Sequence, residues 1–344
     1  MKLSLKQTGF SLVELLVSLA VGAIIFTGII GLLIASDETV DETLQQGELQ
    51  ENGRIAMSLI SRDIKMAGYW GNFTGMAIHE AAGADVQAVR LNETGGKKVA
   101  VPADCVGGGM NNGTFFIEDS DFYFRNLWGN HANQTELYGG CINNAKIGSD
   151  TLQIKRVKGE EVDSGDEIKT RYYFISTENQ GVFYAGSDPT PDMEDGLISE
   201  YLHHIYYVAE ETRGDYLIPV LQRKYLYKNE SSGPNEGKLK AYNLVEGIEQ
   251  LGFLYGVDTD DDGTVNYFAS AEKIPREVWE NEDAAILAVR IHVLVRALSP
   301  DAGYQNNNVY DLGSYSFTAN DNYRRMLFIS TVSILNSGTK LWRS

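Results

Sequence analysis

The longest apolar run of the chain lies near its N-terminus. Residues 10–35 carry one charged side chain, Glu14, and the short N-terminal segment before them carries Lys2 and Lys6. At about 1.5 Å of rise per residue, a helix of this length crosses a hydrocarbon core of about 30 Å. The pattern therefore predicts a transmembrane helix over 10–36. A carboxylate inside such a run is costly, which makes Glu14 a candidate functional residue.

The hydrophobic periodicity continues beyond this run. Over 37–68 apolar residues recur at roughly helical spacing between charged ones, which predicts an amphipathic continuation of the same helix. We expect its apolar stripe to pack on a β-sheet. Gly68 is the predicted C-cap. The stripe consists of Val40, Leu44, Ile55, Met57, Leu59, Ile60 and Ile64.

The remainder, 69–344, is predicted to form a β-rich domain. Its strand candidates are rich in Val, Ile, Tyr and Phe and are separated by Gly, Asn, Asp and Ser. Strands that follow one another without helices favour an α+β fold over a doubly wound α/β fold. A short helix is predicted over 272–281. The strand candidates are 86–91, 114–118, 151–157, 168–177, 181–185, 197–209, 216–227, 247–257, 284–298 and 323–335.

The clearest strand candidate is 284–298. Its apolar residues alternate strictly with Arg290, His292 and Arg296. This alternation predicts an antiparallel strand with one solvated face.

The charge balance argues against one class of function. The formal net charge is −18 for 344 residues, in a chain of ordinary globular composition. Such a surface repels phosphate backbones, so bulk nucleic-acid binding is not expected. A small local basic patch, for example at Arg324 and Arg325, is compatible with this balance.

The chain has two cysteines, Cys105 and Cys141, and their redox state depends on the compartment in which the domain lies. Lys2 and Lys6 predict a cytoplasmic N-terminus, which places the chain after about residue 36 outside the cytoplasm. Because that compartment is oxidising, a Cys105–Cys141 disulfide is expected, with two buried free thiols as the alternative. In the chain-entropy model this bond contributes on the order of 3–4 kcal/mol.

One acidic segment is a candidate calcium site. Asp258, Asp260 and Asp262, followed by Gly263, match the first half of an EF-hand-like loop, in which alternate carboxylates bind a hard cation. The twelfth position, normally an acid, is Ala269. An acidic turn between strands is the alternative interpretation.

No catalytic motif is present in the sequence. HExxH, CxxC, Walker A and GxSxG are all absent, so we expect no enzyme. His203 and His204 are neighbours on a predicted strand and should point to opposite faces, so they are a poor metal pair. A tyrosine cluster is attributed to sheet packing, with a sugar- or partner-binding surface as the alternative. It comprises Tyr201, Tyr206, Tyr207, Tyr216, Tyr225 and Tyr227.

The junction between the basic N-terminal segment and the apolar run carries a specific sequence motif. Gly9-Phe10-Ser11-Leu12-Val13-Glu14 resembles the type IV prepilin leader, G-F-x-x-x-E. An ordinary secretory signal has a shorter apolar core and a small-residue cleavage site after it. A plain signal anchor gives no reason for Gly9-Phe10 or for Glu14.

Later segments narrow the resemblance to the PilW family of minor pilins. They are 51–56, 62–71, 255–263 and 323–328, whereas about 70–240 carries no recognised motif. The resemblance implies a pilin lollipop, in which a long N-terminal helix packs on an antiparallel sheet. It also implies that a prepilin peptidase removes residues 1–9, cutting after Gly9, and methylates the amine of Phe10. Glu14 would then set the register between subunits.

The resemblance further implies partners and a location. The expected role is to join other minor pilins and the major pilin in a tip complex that primes type IV pilus assembly, with consequences for twitching motility and adhesion. A PilY-type tip adhesin is a further expected partner. The chain would wait in the inner membrane, with its domain in the periplasm, before it reaches the pilus tip. A J-type pseudopilin of type II secretion is the alternative, and a membrane-anchored ligand-binding module is a remote one.

Overall fold

A computed structural model describes most of the chain, in two compact units, Met1–Glu48 and Leu49–Ser344. We call the second unit the head. Each unit is considered by itself. The described residues are 9–73, 78, 85–88, 101, 104–108, 112–115, 124–214, 216–229, 237–280 and 284–336.

Helix α1, Leu12–Lys65, begins with a capping box. The Ser11 hydroxyl accepts a hydrogen bond from the Val13 N–H at 3.3 Å, and Glu14 Oε2 accepts one from the Ser11 N–H at 2.8 Å. This S-x-x-E exchange satisfies donors that a helix start otherwise leaves open. At the other end, α1 stops at Lys65, three residues before the predicted C-cap, and Gly68, with a φ of +71°, donates its N–H to the Lys155 carbonyl at 3.1 Å.

In the first unit the apolar residues of α1 are exposed. Leu12–Leu33 is long and apolar enough to cross a membrane, by length and composition alone. Val40 and Leu44, predicted to belong to the packed stripe, are 52% and 61% exposed. This part of the predicted stripe is therefore wrong.

In the head, the last turns of α1 pack on the β-structure. Leu49, Ala56, Ile60 and Ile64 are buried in the main hydrophobic core. Ile60 and Ile64 were predicted correctly, whereas Ile55 is 40% exposed. Met57 and Leu59 are partly buried against the same core, and Ala56, whose small side chain carries little hydrophobic signal, takes the buried position next to Ile55.

The second helix and the strands follow in chain order. The predicted helix over 272–281 is a 3-10 turn, Ala271–Lys273, and a short helix α2, Arg276–Trp279, on either side of Pro275. The strands are β1 Asp85–Ala88, β2 Leu127–His131, β3 Asp150–Glu161, β4 Tyr172–Ser176, β5 Gln180–Ala185, β6 Leu197–Arg213, β7 Tyr216–Lys228, β8 Gly237–Glu246, β9 Ile248–Asp258, β10 Tyr267–Ser270, β11 Ala285–Arg296, β12 Val309–Asp311, β13 Ser316–Thr318 and β14 Arg325–Ser333.

The strands form two main sheets. The larger sheet has the order β1-β5-β4-β6-β3-β2, with β7 on β6 and β8 on β7; the smaller has the order β10-β9-β11-β14. β12 and β13 form a separate hairpin. All pairs are antiparallel except β1 with β5. The fold class is therefore α+β, with a long N-terminal helix and antiparallel sheets, as predicted.

Two strand predictions differ from the structure. Residues 112–115 form turns rather than a strand, and 116–118 and 89–91 lie outside the described residues. The β11 strand is not half-solvated, since His292 is 5% exposed and Leu294 is fully buried. The turn between β12 and β13 covers this second face: a Cβ built on Gly313 would lie 2.7 Å from the His292 ring.

Candidate assembly site

The N-terminal segment contains the phenylalanine and the glutamate of the leader motif, Phe10 and Glu14. Phe10 is 85% exposed, and the Glu14 carboxylate lies on the first turn of α1, where it caps its own helix. An anion is favoured at this end of a helix by the macrodipole. Glu14 therefore has a local structural role, which the sequence prediction did not include.

A buried carboxylate on α1 fastens the helix to the larger sheet. Asp63 Oδ1 accepts hydrogen bonds from Arg156 Nη2 at 2.6 Å and from Arg156 Nε at 3.2 Å. Asp63 Oδ2 accepts from His204 Nδ1 at 2.6 Å and from the Tyr206 hydroxyl at 2.5 Å. The Asp63 carboxylate thus has four donors, from strands β3 and β6.

These donors determine the charge state of Asp63. Burial by itself would raise the pKa of its carboxyl, but the hydrogen bond and charge of His204 and the charge of Arg156 outweigh burial and hold the pKa well below its usual value. Asp63 is therefore ionised at neutral pH. The charge pair with Arg156 is buried, with side chains 5% and 11% exposed.

The last strand also lies against α1. A Cβ added at Gly53 would lie 2.1 Å from the Phe328 ring, so β14 approaches the helix closely only because residue 53 has no side chain. The Leu335 N–H donates to the Lys65 carbonyl at 3.1 Å. Arg325 at the start of β14 is held by Glu249 on one side, at 2.5 and 3.0 Å, and by Asp321 on the other.

A second buried network joins the irregular region to β3. Cys105 and Cys141 form a disulfide, with their Cα atoms 5.2 Å apart. Nearby, the fully buried Lys155 ammonium donates to the Asn112 carbonyl at 2.9 Å and to the Arg125 carbonyl at 3.0 Å. Burial lowers the pKa of Lys155 well below its usual value. These contacts fasten loop segments whose own hydrophobic content is low.

The predicted calcium ligands do lie together. One ligand atom from each of Asp258, Asp260 and Asp262 falls within 4.8 Å of the others. Asp258 accepts hydrogen bonds from the Asp261 N–H and the Gly263 N–H, both at 2.9 Å, and these bonds lower its pKa although burial acts to raise it. Ala269, at the twelfth position, lies on β10. The cluster exists, and the same hydrogen bonds also make it a well-formed acidic turn.

Several other side chains singled out from the sequence have partners within the protein or are buried. Arg324 pairs with Asp301 at 2.9 Å, so Arg324 and Arg325 do not form a free basic patch. His203 and His204 contact different partners, Gln153 and Asp63, on opposite faces of β6, as predicted. Tyr201, Tyr206 and Tyr207 are buried, in agreement with sheet packing, whereas Tyr216 is 48% exposed and Tyr225 and Tyr227 are partly exposed.

Two family models match the chain. Residues 4–30 match the prokaryotic N-terminal methylation motif, and residues 205–336 match type IV pilus-assembly protein W. The segment 205–336 is therefore similar to PilW. The two matches confirm the resemblance to minor pilins of the PilW family. No curated protein and no solved structure matches the chain.

The PilW match extends from the middle of β6 to just beyond β14. It contains the acidic loop and Arg325, whereas the 51–71 segment lies outside it. The methylation motif implies processing by a prepilin peptidase and interaction with other pilins, and together with the apolar helix it supports anchoring in the inner membrane. Neither matching family is an enzyme family.

Asp63 is the functional candidate that sequence reasoning missed. It falls three residues after Ile60 and seven after Ala56, and so on the buried face of the helix. A charged residue on a buried helical face was the available signal. Its partners could not be found in this way, because Arg156 and His204 are 93 and 141 residues away.

Proposed function

We propose that this PilW-like chain is a minor pilin that joins other minor pilins in the tip complex and primes assembly of the type IV pilus. The single observation behind this proposal is the combination of a prepilin methylation motif with a segment similar to PilW. A helix whose apolar side chains are exposed over Leu12–Leu33 supports it, because such a helix needs either lipid or neighbouring helices. Twitching motility and adhesion would depend on the resulting pilus.

In this proposal the N-terminal residues have separate tasks. A prepilin peptidase cuts after Gly9, removing 1–9, and Phe10 becomes the methylated terminus. Segment 10–36 then serves first as the membrane anchor and later as filament core, 37–68 continues the helix, and 69–344 is the periplasmic or extracellular domain. A carboxylate inside a helix bundle is costly unless paired, so Glu14 is paired with the terminal amine of a neighbouring subunit, which sets the register.

The capping box offers a sharp test of the Glu14 role. Glutamine can replace glutamate in a capping box, but it has no charge to pair with an amine. If charge pairing sets the register, Glu14→Gln and Glu14→Ala should both abolish co-purification with the other minor pilins. If Glu14 acts only as a cap, Glu14→Gln should assemble normally, and the register role would be wrong. Ser11→Ala, which removes the other half of the capping box, is the matched control and should assemble.

The partners and the location are tested together. Cross-linking of the intact cell followed by mass spectrometry should recover the chain cleaved after Gly9, with other minor pilins, the major pilin and a PilY-type tip adhesin. Recovery with secretion components instead would favour a J-type pseudopilin and contradict the pilus role. Immunogold labelling should locate the head at the pilus tip.

Calcium is a subsidiary part of the proposal. Asp258, Asp260 and Asp262 offer the hard oxygen ligands that Ca²⁺ prefers, and their clustering in one turn supports a weak extracellular-type site. Calorimetric titration should give a saturable calcium heat that Asp260→Asn and Asp262→Asn remove. Equal heats for calcium and magnesium, or none, would contradict it.

A further inference from the structure

The β7–β8 hairpin carries a group of aromatic and basic side chains that pilus assembly does not explain. Cross-strand partners share one face of a sheet, and the register pairs Tyr225 with Lys240 and Tyr227 with Lys238. Tyr242, two residues beyond Lys240, lies on the same face and is 45% exposed. The tyrosine–lysine patch is defined as Arg171, Tyr225, Tyr227, Lys238, Lys240 and Tyr242.

The patch is an ordered surface. The Tyr225 hydroxyl donates to the Tyr242 hydroxyl at 2.8 Å, and the two ring centroids are 4.7 Å apart. Tyr227 lies beside Tyr225, with centroids 6.0 Å apart. Cations flank the rings: Lys240 Nζ is 5.3 Å from the Tyr242 centroid, and the Arg171 guanidinium is 5.6 Å from the Tyr225 centroid.

The charge of the patch is opposite to that of the chain. The formal net charge of the whole protein is −18, yet none of the described residues on this face of β7 and β8 is acidic. Within the described part of the chain, Lys238 and Lys240 form no ion pair. Arg171 shares its carboxylate, Glu200, with Lys158. Among the described residues of the patch, positive charges therefore outnumber negative ones, which favours an anionic ligand.

The arrangement of the rings narrows the ligand further. Stacking of nucleic-acid bases needs free aromatic faces. Here Tyr225 and Tyr242 pack against each other with their planes tilted by 41°, and Lys240 and Arg171 lie near the faces of the same rings. What remains accessible is phenol hydroxyls, ring edges and ammonium groups. These groups suit a ligand rich in hydroxyls and carboxylates better than a stack of bases.

We propose that the tyrosine–lysine patch binds an acidic polysaccharide. Carboxylates of the sugar residues lie against Lys238, Lys240 and Arg171, and sugar hydroxyls exchange hydrogen bonds with Tyr227 and Tyr242. β8 pairs with β7 alone, so it is an edge strand of the larger sheet. A long flexible chain can therefore pass along the hairpin.

The test uses the full chain in detergent and three fluorescent probes: oligogalacturonate, a neutral dextran oligomer and oligo(dT). Oligogalacturonate should bind saturably, more weakly as salt rises, and at least about fivefold less tightly to Lys238→Gln/Lys240→Gln and to Tyr242→Ala. The matched controls are Lys273→Gln and Tyr267→Ala, which alter exposed residues elsewhere; Tyr267 is 42% exposed. Both controls should bind like the unchanged chain, and circular dichroism should show all variants folded.

Three results would overturn the proposal: no saturable binding of oligogalacturonate, binding of dextran with equal affinity, or equal effects of patch and control variants. Tighter binding of oligo(dT), sensitive to the same patch variants, would make this a nucleic-acid surface instead and would also overturn it. Binding at the patch does not require entry into a pilus. Failure of the assembly proposal and failure of this one are therefore separately observable.

Discussion

The Asp63 carboxylate of α1 accepts a hydrogen bond at 2.6 Å from His204 of β6, 141 residues later in the chain. Together with Arg156 and Tyr206, His204 makes Asp63 the polar centre of the contact between helix and sheet within the head. A buried carboxylate with four donors is stable only while every donor remains in place. The network therefore restricts the helix to a single position on this sheet.

Asp63→Asn should destabilise the head by about 3–5 kcal/mol, since it leaves Arg156 buried without its counter-charge. The pKa of Asp63 is lowered in the folded state, so the stabilisation is present above the ordinary carboxyl pKa and is lost as pH falls through the folded value. Urea unfolding at several pH values should therefore show a difference between the two proteins that shrinks toward acid.

Asp301→Asn is the control for this experiment. Asp301 also has a lowered pKa, from its hydrogen bond with Arg324, but both side chains are 25% exposed. Because exposed pairs contribute little, the control should lose far less stability than Asp63→Asn. Equal losses would show that the buried network has no special importance.

His131 should give the opposite pH dependence. Its Nδ1 donates to Asp150 at 2.7 Å, and that hydrogen bond raises the pKa of the imidazole, against the effect of burial. The stabilisation is fully present below the usual histidine pKa of about 6.5 and is lost as pH rises through the folded value. His131→Gln should therefore cost more stability at pH 5.5 than at pH 8.5, as measured by thermal unfolding. A constant difference would contradict the assignment.

Gly53 should tolerate a side chain only when Phe328 is removed. Alanine at residue 53 gains helix propensity of about 1 kcal/mol, but its Cβ meets the Phe328 ring, and overpacking costs about 1–3 kcal/mol. Gly53→Ala should destabilise the unchanged head and stabilise the Phe328→Ala variant. Gly47→Ala, where no atom lies within 4 Å of the built Cβ, should destabilise neither. The denaturant midpoints of the unchanged chain, Gly53→Ala, Phe328→Ala and the double variant measure the coupling between residues 53 and 328.

The disulfide should stabilise the head measurably. Removing the Cys105–Cys141 bond by Cys105→Ser and Cys141→Ser frees a loop of sequence separation 36, at a cost on the order of 3–4 kcal/mol in the chain-entropy model. The urea midpoint should fall, and a reductant should lower the midpoint of the unchanged chain but not of the double variant. An unchanged midpoint would indicate that other contacts, such as those of Lys155, hold the loops.

Sequence reasoning succeeded where a feature is local and periodic. It predicted β6, β7, β9 and β11 and the buried Ile60 and Ile64 because these patterns repeat over many residues. It missed β2 and β8, since LWGNH is short and contains a glycine, and the apolar residues of GKLKAYNLVE do not alternate strictly with polar ones. These strands form because neighbouring strands supply hydrogen-bond partners, which is tertiary information.

The polar sites also divide into local ones, which the sequence predicted, and non-local ones, which it did not. The cluster of Asp258, Asp260 and Asp262 lies within five residues, so spacing alone predicted it. Lys155 gave no such signal. The three carbonyl and amide oxygens around its ammonium come from Asn112 and Arg125, residues of a region without periodicity.

The contact between Gly53 and Phe328 has a consequence for the order of synthesis. The ribosome makes α1 long before β14, so this part of the helix lacks the cover of Phe328 until β14 has been made. A chain that stops before residue 325 would keep Gly53 and its neighbours accessible to chaperones and proteases. Subunits that contain β14 would therefore be the ones that survive, because a strand made late covers a helix made early.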